Sequence, residues 1–336
     1  MIDDRPLLAV VPGEPAGVGP ELLARIVSMP QPARLVAIAN ADTLQKSIAH
    51  LALPISIQVI ADLGEADFSR ADVLHVLDVA QSTPTSFGEL DLANAASVID
   101  ALNHASDLAL RGDVEGIVTG PTHKAHLINA GYPYTGTTEW LADRAGVKVV
   151  MMLAHDALRV ALVTTHLPLR DVADAITTDV LRECIEIVER SMRDDLGIAT
   201  PRVAILGVNP HAGEQGALGR EEIEVYAPVL EELRERGFDL VGPLPADTAF
   251  LPQKMKAFDA VIAAYHDQGL PVLKYSGFEK AVNFTLGLPY PRVAVDHGTA
   301  LDLAGTGKAD ASSMQMAVQI CAQMARERRR TRNQGQ

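Results

Sequence analysis

Short apolar runs alternate with segments of helical periodicity along the whole chain. The runs lack the strict polar–apolar alternation of half-exposed strands, so they predict strands that are buried on both faces. Predicted strands cover residues 7–11, 34–39, 56–60, 73–79, 116–119, 149–153, 160–165, 203–208, 260–265, 282–286 and 292–295. Predicted helices cover residues 20–28, 41–51, 91–110, 139–145, 178–196, 221–236 and 312–328. This alternation, without a tandem repeat, predicts an α/β fold with a largely parallel or mixed sheet.

The stretch from residue 259 to 274, DAVIAAYHDQGLPVLK, carries the clearest chemical signal. Its apolar run ends at His266, residues 267–269 predict a turn, and an apolar pattern then resumes before Lys274. A histidine, a carboxylate and an amine are therefore expected just beyond the end of a core strand. Ligands bind at that position in open α/β sheets.

Two further histidines occupy the same kind of position. His166 directly follows the apolar run 160–165, and His211 follows the run 203–208 after Asn209 and Pro210. Three nitrogen ligands with open positions suit a catalytic Zn²⁺ or a similar divalent ion. The alternative is that each histidine caps its own turn, but the shared context of all three favours a metal site.

Composition and charge limit the classes to which this protein can belong. A chain of 336 residues suggests two domains of ordinary size, and 48% apolar residues with 4% aromatics predict a core of small aliphatic side chains. The net charge of −14 argues against nucleic acid as the main partner, because no broad positive field attracts phosphodiesters. The basic run 326–332 is short and terminal, and we interpret it as a solvated tail.

The compartment is predicted from cysteines and apolar stretches. The two cysteines, Cys184 and Cys321, lie in apolar helical patterns, which is typical of buried thiols in a reducing compartment. The first fifteen residues lack a signal-peptide core, and no apolar stretch reaches membrane-spanning length. We therefore expect a soluble, cytoplasmic protein with no membrane partner.

A glycine-rich turn, PGEPAGVGPE at residues 12–21, joins the first strand to the first helix. Backbone N–H groups at a helix N-terminus bind anions, so a ligand role and a simple tight turn both stay open. The turn does not match the GxGxxG dinucleotide fingerprint.

Seven ordered motifs resemble those of one family, the 4-hydroxythreonine-4-phosphate dehydrogenases of vitamin B6 (pyridoxine) synthesis. The resemblance runs from about residue 7 to 320, nearly the whole chain, which makes it far more specific than any single motif. The motifs are PGEPAGVGPE (12–21), TGPTHK (119–124), TTHLPLRDV (164–172), NPHAGE (209–214), GPLPADTAF (242–250), YHDQGLPVLKY (265–275) and VDHGTALDLAGTGKAD (295–310).

The resemblance implies two α/β/α domains of the isocitrate/isopropylmalate dehydrogenase-like type, with an active-site cleft between the domains. We expect residues 1–125 and 290–336 to form the first, cofactor-side domain, and residues 126–289 to form the second. The second domain would carry the metal, the substrate and the dimer contacts. The family is homodimeric, with each active site shared between the two subunits.

The resemblance also implies roles for individual residues. His166, His211 and His266 match the ligands of one divalent metal ion, for which Zn, Mg and Co are the candidates. The positions that match substrate-binding residues are Thr138, Lys274, Asn283 and Arg292. The family commonly has a histidine where this chain has Thr137, so Thr137 is a candidate substrate-binding residue that departs from the pattern.

The cofactor would be NAD, with NADP as the alternative. The stretch 297–305 resembles the loop of isopropylmalate dehydrogenases that meets the adenosine half of NAD. The candidate cofactor-binding residues are Glu14, His297, Gly298, Ala300 and Asp302.

Three side chains are candidates for catalytic work. Asp247, in a predicted loop at residues 243–248, and Asp267 could accept a proton or orient a histidine, and capping of a turn is an equal alternative for Asp267. Lys274 could supply charge to the substrate during the reaction.

The implied activity is NAD-dependent oxidation of 4-phosphohydroxy-L-threonine, followed by decarboxylation to 3-amino-2-oxopropyl phosphate. A metal ion on the substrate hydroxyl favours the alkoxide that gives up hydride, and the β-keto acid then loses CO₂ readily. One alternative is a dehydrogenase of the same superfamily for another hydroxy acid, such as a phosphorylated threonate or erythronate or a cyclic diol carboxylate. Another is a metal- and anion-binding protein without catalysis.

Overall fold

The computed structural model describes residues 4–155, 158–277 and 281–334. In chain order, its strands are β1 (Leu7–Val11), β2 (Arg34–Ala39), β3 (Ser56–Ile60), β4 (Val73–Asp78), β5 (Gly116–Thr119), β6 (Val150–His155), β7 (Leu158–Leu162), β8 (Arg202–Leu206), β9 (Asp239–Leu244), β10 (Ala260–Ala263), β11 (Val282–Leu286) and β12 (Arg292–Val295). Its helices are α1 (Gly19–Val27), α2 (Ala41–His50), α3 (Ala95–Arg111), α4 (Lys124–Asn129), α5 (Thr137–Ala145), α6 (Val172–Ala175), α7 (Thr178–Asp194), α8 (Ala227–Glu235), α9 (Ala246–Ala249), α10 (Pro252–Met255), α11 (His266–Gly277) and α12 (Ser312–Gln334).

The chain divides into two compact units by its internal contacts. The first unit comprises Met1–Val147 with Leu288–Arg330, and the second comprises Lys148–Gly287 with Thr331–Gln336. The chain thus leaves the first unit and returns to it, so the units are interleaved along the sequence.

The first unit is built on six parallel strands in the order β3-β4-β2-β1-β5-β12. All five residues of β1 are buried, as expected for a parallel strand that is covered on both faces. The adjoining helices carry local signals for their ends: the Asn40 side chain accepts the Thr43 N–H at the start of α2, and Gly112 ends α3 with a left-handed conformation.

The second unit has six strands in the order β11-β6-β7-β10-β8-β9. The pairs β11–β6 and β6–β7 are antiparallel, whereas β7–β10, β10–β8 and β8–β9 are parallel. Its core joins residues from these strands and from α11, including Val160, Leu206, Val261, Leu270 and Leu273. The parallel part therefore has three neighbouring strands, β7, β10 and β8, whose carboxyl ends lie at one edge.

The turn that we predicted at residues 267–269 is wrong, because these residues belong to α11. Leu270 and Leu273 are buried on one face of this helix, whereas Val272 and Tyr275 are exposed. Gly269 and Pro271 suggest a turn in the sequence, but burial of the two leucines outweighs their low helix propensity.

The predicted loop at residues 243–248 is also corrected. Residues 243–248 contain the end of strand β9 and the start of helix α9. Because β9 is at the edge of its sheet, Pro243 lacks an N–H at a place where the ladder tolerates it. Thr137 and Thr138 lie in the first turn of α5. Among the residues described, no helix combines the length and apolarity that crossing a bilayer requires.

Candidate functional site

The three histidines follow three neighbouring strands of the second unit. His166 comes shortly after β7, His211 after β8, and His266 is the first residue of α11, directly after β10. Strand β10 lies between β7 and β8 and is parallel to both. The chain therefore leaves all three strands at the same sheet edge. The sequence placed each histidine after a strand, and the strand order makes them neighbours.

Hydrogen bonds hold the ends of these strands together. Thr164 donates its backbone N–H and its hydroxyl to the Ala264 carbonyl, at 3.1 and 2.8 Å. Gln268 accepts the Ala264 N–H at 2.7 Å and donates to the Gly207 carbonyl at 2.7 Å. The Gln268 carboxamide therefore links the segments that carry His266 and His211. Sequence reasoning missed it, since its only signal was its place in the YHDQG motif.

His166 and His266 are brought together. Their ring centroids are 5.6 Å apart, and both rings are accessible to solvent. His266 Nδ1 lies 2.6 Å from Asp267 Oδ1. If Nδ1–H donates to this carboxylate, the neutral imidazole presents Nε2 as a lone-pair donor, which is the tautomer that a metal ligand needs.

His211 lies in an unusual backbone segment. Residues 211–215 all have positive φ, between 42° and 79°, although four of the five are not glycine. The buried Glu222 carboxylate supports this left-handed turn, because it accepts the Asn209 N–H at 2.8 Å and the Asn209 side-chain N–H at 3.0 Å. Such backbone strain persists only where the surroundings enforce it, and it is frequent at functional sites.

The predicted metal ligands fit a divalent ion in donor type and in backbone position. Imidazoles are the ligand type of zinc-like sites, and the rings of His166 and His266 are adjacent. In the described parts of the chain, however, no group of three histidine, cysteine, aspartate or glutamate side chains is arranged to hold a metal ion. The side chain of His211 is therefore not grouped with those of His166 and His266.

Four other candidates of the second unit lie on separate elements. Asp247 and Asp267 are exposed, on α9 and at the start of α11. Lys274 is half-buried near the end of α11. Asn283 is half-buried on β11, and its Oδ1 atom is enclosed without a hydrogen-bond donor among the described residues.

The first unit buries the guanidinium of Arg292, the first residue of β12, leaving it 3% exposed. Its Nη2 donates to the Thr119 hydroxyl at 2.6 Å, and its Nη1 donates to the Thr138 hydroxyl at 3.2 Å. Burial lowers the pKa of Arg292 to about 10, which still leaves the side chain charged at neutral pH. A buried cation between two hydroxyls is well suited to an anionic ligand. The role of Thr119 was not predicted from the sequence.

Thr137, where the family likeness led us to expect a histidine, takes part in a hydroxyl cluster. The buried Tyr134 hydroxyl makes a short hydrogen bond to Thr137 Oγ1 and lies 3.0 Å from Thr122 Oγ1. Burial raises the pKa of Tyr134, so its phenol is neutral at neutral pH. The helix that carries Thr137 and Thr138 is fixed on α3 by an ion pair between Arg144 and Asp107.

The glycine-rich turn packs against the predicted cofactor loop within the first unit. Val18 donates its N–H to the Thr299 carbonyl at 3.0 Å, and Gly305 donates its N–H to Glu21 at 3.2 Å. A Cβ atom at Gly17 would lie 2.8 Å from the Thr299 oxygen, so this contact requires glycine.

The predicted cofactor residues of this loop differ in exposure. Gly298 and Asp302 are exposed, and a Cβ atom at Gly298 would meet no atom within 4 Å. His297 and Ala300 are half-buried, and His297 Nδ1 lies 2.9 Å from the Gly298 carbonyl oxygen. Open backbone and an exposed carboxylate are features that a ribose or adenine group could use.

Glu14 is 2% exposed, so its carboxyl group supports the turn from inside. It accepts the Ala16 N–H at 3.2 Å, and burial raises its pKa despite the nearby His126 and His123. His126 is buried. His123 caps α4, because its Nδ1 accepts the His126 N–H at 3.2 Å.

A family model matches the chain over residues 31–321, and its description is Pyridoxal phosphate biosynthetic protein PdxA. The chain is 59% identical to the 4-hydroxythreonine-4-phosphate dehydrogenase of Stenotrophomonas maltophilia (strain K279a), over 96% of this chain and 98% of that protein. It is 58% identical to the protein of the same name in Xanthomonas oryzae pv. oryzae, over 96% of this chain and 99% of the relative.

Solved structures indicate the same family and fold. The 4-hydroxythreonine-4-phosphate dehydrogenase of Klebsiella pneumoniae superposes with a TM-score of 0.88 and 36% identity, covering 97% of this chain and 99% of that one. A terephthalate 1,2-cis-dihydrodiol dehydrogenase of Burkholderia xenovorans LB400 has a TM-score of 0.68 and 23% identity, covering 95% and 98%, and therefore shares the fold. The predicted dehydrogenase-like α/β fold and the predicted family are confirmed.

Proposed function

The chain belongs to the PdxA family of pyridoxal phosphate biosynthetic proteins, and from this premise we propose that it is a 4-hydroxythreonine-4-phosphate dehydrogenase. The proposed reaction is NAD-dependent oxidation of 4-phosphohydroxy-L-threonine followed by decarboxylation to 3-amino-2-oxopropyl phosphate. The observation that carries the substrate class is the buried Arg292 guanidinium, which is held between two threonine hydroxyls.

Arg292 is proposed to bind an oxygen of the substrate phosphate or carboxylate. A planar guanidinium offers paired N–H donors to such groups, and burial keeps competing water away. Thr138 and Thr119 fix the plane of the guanidinium, so that little side-chain entropy is lost when substrate binds. Lys274 and Asn283 are proposed as further contacts to the substrate, supported by the family motif and by the enclosed Oδ1 atom of Asn283.

We propose that His166, His211 and His266 hold one divalent metal ion in the working enzyme. The support is their common sheet edge, the adjacency of two rings and the position of Asp267 beside His266 Nδ1. When bound, such an ion supplies Lewis-acid stabilisation of a developing alkoxide. The contribution of Asp267 is to hold the tautomer and orientation of His266. Asp247, exposed on α9, remains the candidate acceptor for the hydroxyl proton.

The cofactor is proposed to be NAD rather than NADP. Asp302 is an exposed carboxylate in the loop at residues 297–305, and a carboxylate accepts hydrogen bonds from the ribose hydroxyls of NAD but repels a 2′-phosphate. The open space at Gly298 would let the loop backbone approach the cofactor closely.

The proposed activity is tested by steady-state kinetics with a panel of hydroxy acids, following NADH by its absorbance. The enzyme is loaded separately with Zn²⁺, Mg²⁺ and Co²⁺, and metal content is measured for wild type, His166→Ala and the control His104→Ala on α3. Turnover of 4-phosphohydroxy-L-threonine, with loss of metal and turnover in His166→Ala alone, is the expected result. Full metal and full activity in His166→Ala would refute the metal site.

A second candidate is a dehydrogenase for another hydroxy acid, and Thr137 is the observation that favours it. The hydroxyl cluster of Tyr134, Thr122 and Thr137 fills the place of a cationic imidazole with neutral groups. Faster turnover of a phosphorylated threonate or erythronate in the panel would support this candidate over the first one.

We place the enzyme in the cytoplasm as a homodimer. Both cysteines are buried thiols, and burial raises the pKa of Cys184 to about 12, so this thiol is unreactive. The dimer rests on the family likeness and is tested below.

A further inference from the structure

The amino-terminal edge of the first unit's sheet contains a cavity of about 420 Å³. It lies where β1, β2 and β4 begin, whereas the loops at residues 12–21, 119–124 and 297–305 lie at the carboxyl ends of strands of the same unit. Its volume is in the range of sites for small organic ligands. None of the residues predicted to bind substrate, cofactor or metal lines it.

Three arginines line this cavity in a chain with a net charge of −14. Arg5 Nη2 donates to the Phe68 carbonyl at 3.4 Å, and Arg34 Nε donates to the Arg5 carbonyl at 3.0 Å. Arg70 pairs with Asp72 at 2.8 Å at the exposed side of the cavity. The overall charge repels anions, so three guanidiniums in one concave site create a local exception to that field.

The cavity wall also has an aromatic surface. The Arg34 guanidinium lies 5.5 Å from the centroid of the Phe68 ring, and the His75 ring packs edge-on against the same ring at 5.0 Å. These contacts fix the guanidinium plane of Arg34 and give the organic part of a ligand an apolar surface to cover.

His75 points to the kind of ligand. It is 2% exposed, and its Nε2 lies 3.0 Å from the Asp67 carbonyl oxygen. Because a carbonyl only accepts, Nε2 carries a proton. Nδ1 is buried and has no hydrogen-bond partner among the described residues. A ligand that satisfies this wall therefore needs negative charge and a polar oxygen that can hydrogen-bond to Nδ1.

We propose that this cavity is a binding site for a small phosphate monoester. A phosphate ester combines negative charge for Arg5, Arg34 and Arg70 with an oxygen that can hydrogen-bond to His75 Nδ1. Its organic group would cover the apolar wall beside Phe68. Arginine is the preferred residue for phosphate oxygens because its planar fork matches them.

The test is calorimetric titration of the full-length protein with phenyl phosphate, using inorganic phosphate and phenol as reference ligands. Arg70→Gln has a matched control in Arg111→Gln, since Arg70 and Arg111 are both 57% exposed and each pairs with an aspartate two residues later. Loss of one charge-assisted hydrogen bond should weaken binding roughly tenfold in Arg70→Gln. The Arg111→Gln protein should bind phenyl phosphate as tightly as wild type.

A blocking variant separates this cavity from the substrate site. Ala71→Trp places a bulky side chain in the cavity lining and should abolish this binding, whereas Arg292→Lys should preserve it. Equal affinities in Arg70→Gln and Arg111→Gln, or unchanged binding in Ala71→Trp, would overturn the site. Inorganic phosphate binding as tightly as phenyl phosphate would overturn the assignment to an ester.

Discussion

At the scale of single residues, burial decides which charged groups matter. Arg292 is a cation inside the first unit, and removing a charge from water is costly unless hydrogen bonds or an anion compensate. Two threonine hydroxyls supply part of that compensation. We assign recognition of the substrate anion to this buried cation.

Replacement of Arg292 by lysine keeps the charge but removes the planar fork. A single ammonium cannot reproduce the donor geometry that serves Thr119, Thr138 and a bound oxyanion together. We expect the KM for the phosphorylated substrate to rise by about ten- to a hundredfold, since a charge-assisted hydrogen bond contributes roughly 1.5–3 kcal/mol. Arg159→Lys, which alters a partly buried arginine bonded to the Asp259 carbonyl, is the control for steady-state kinetics.

An equal loss on phosphorylated and unphosphorylated substrates in Arg292→Lys would contradict phosphate recognition. A loss of similar size in Arg159→Lys would mean that the effect comes from general destabilisation.

Glu14 gives a prediction about pH. Burial raises its pKa, so the folded protein holds this proton to higher pH than the unfolded chain does. The contribution of Glu14 to the free energy of unfolding is therefore fully present at pH values below its unfolded pKa. It is lost as pH rises through the folded pKa. Glu14→Gln removes this titration. The free energy of unfolding of Glu14→Gln, relative to that of wild type, should therefore rise between the unfolded and the folded pKa of Glu14 and then level off.

Urea unfolding of wild type and Glu14→Gln at a series of pH values measures this difference. Glu89→Gln, which alters an exposed carboxyl, is the matched control. A stability difference between Glu14→Gln and wild type that stays constant with pH would argue against the buried carboxyl as the cause.

At the scale of elements, the left-handed turn at residues 211–215 is the unusual feature of the second unit. It redirects the chain after β8 at the point where His211 projects. Gly213 has φ of 79°, and a Cβ atom there would lie 2.5 Å from Glu222 Oε2 and 3.1 Å from the Gly219 oxygen. The turn thus depends on the contact between Gly213 and a buried carboxylate.

Gly213→Ala should destabilise the second unit and disturb His211. A control is Gly146→Ala, where φ is 65° but a Cβ atom would meet no atom within 4 Å. Both substitutions carry the left-handed strain of roughly 1–2 kcal/mol, and only Gly213→Ala adds overpacking of about 1–3 kcal/mol. Urea unfolding and metal affinity should both be affected more by Gly213→Ala than by Gly146→Ala. Equal effects would show that the Glu222 contact is unimportant.

At the scale of the whole molecule, the proposed metal ligands raise the question of assembly. The described part of one chain pairs His166 with His266 but does not group three ligands. The family likeness implies that each active site is shared between two subunits of a homodimer. We propose that ligands from two subunits complete each metal site, so that each subunit contributes only part of the ligand set.

Mixing inactive His211→Ala and His266→Ala proteins, after exchange of subunits, should therefore restore part of the activity. A mixed dimer with shared sites would contain one site with both histidines intact. The measurement is turnover after mixing, with light scattering to verify the dimer and His266→Ala mixed with itself as the control. No recovery from a verified mixed dimer, or activity in a verified monomer, would refute the shared site.

The sequence by itself determined the elements with strong local signals. Strands β1, β2, β3, β5, β11 and β12 have the predicted limits, because each is a short run of strand-forming residues bounded by polar or turn residues. It also placed His166, His211 and His266 beyond the ends of strands, and seven ordered motifs predicted the family. These features depend on local pattern or on motif order. Both can be identified in the sequence without knowledge of tertiary contacts.

The tertiary structure decided what depends on partners distant in sequence. The order β7-β10-β8 makes neighbours of the three strand ends that are followed by histidines. No local sequence pattern encodes that order. Packing of Leu270 and Leu273 makes a helix where Gly269 and Pro271 suggest a turn. Arg292 is buried against Thr119, which lies 173 positions away in the sequence. Burial and long-range hydrogen bonds thus turn these predicted side chains into candidate sites, because both arise when distant segments pack together.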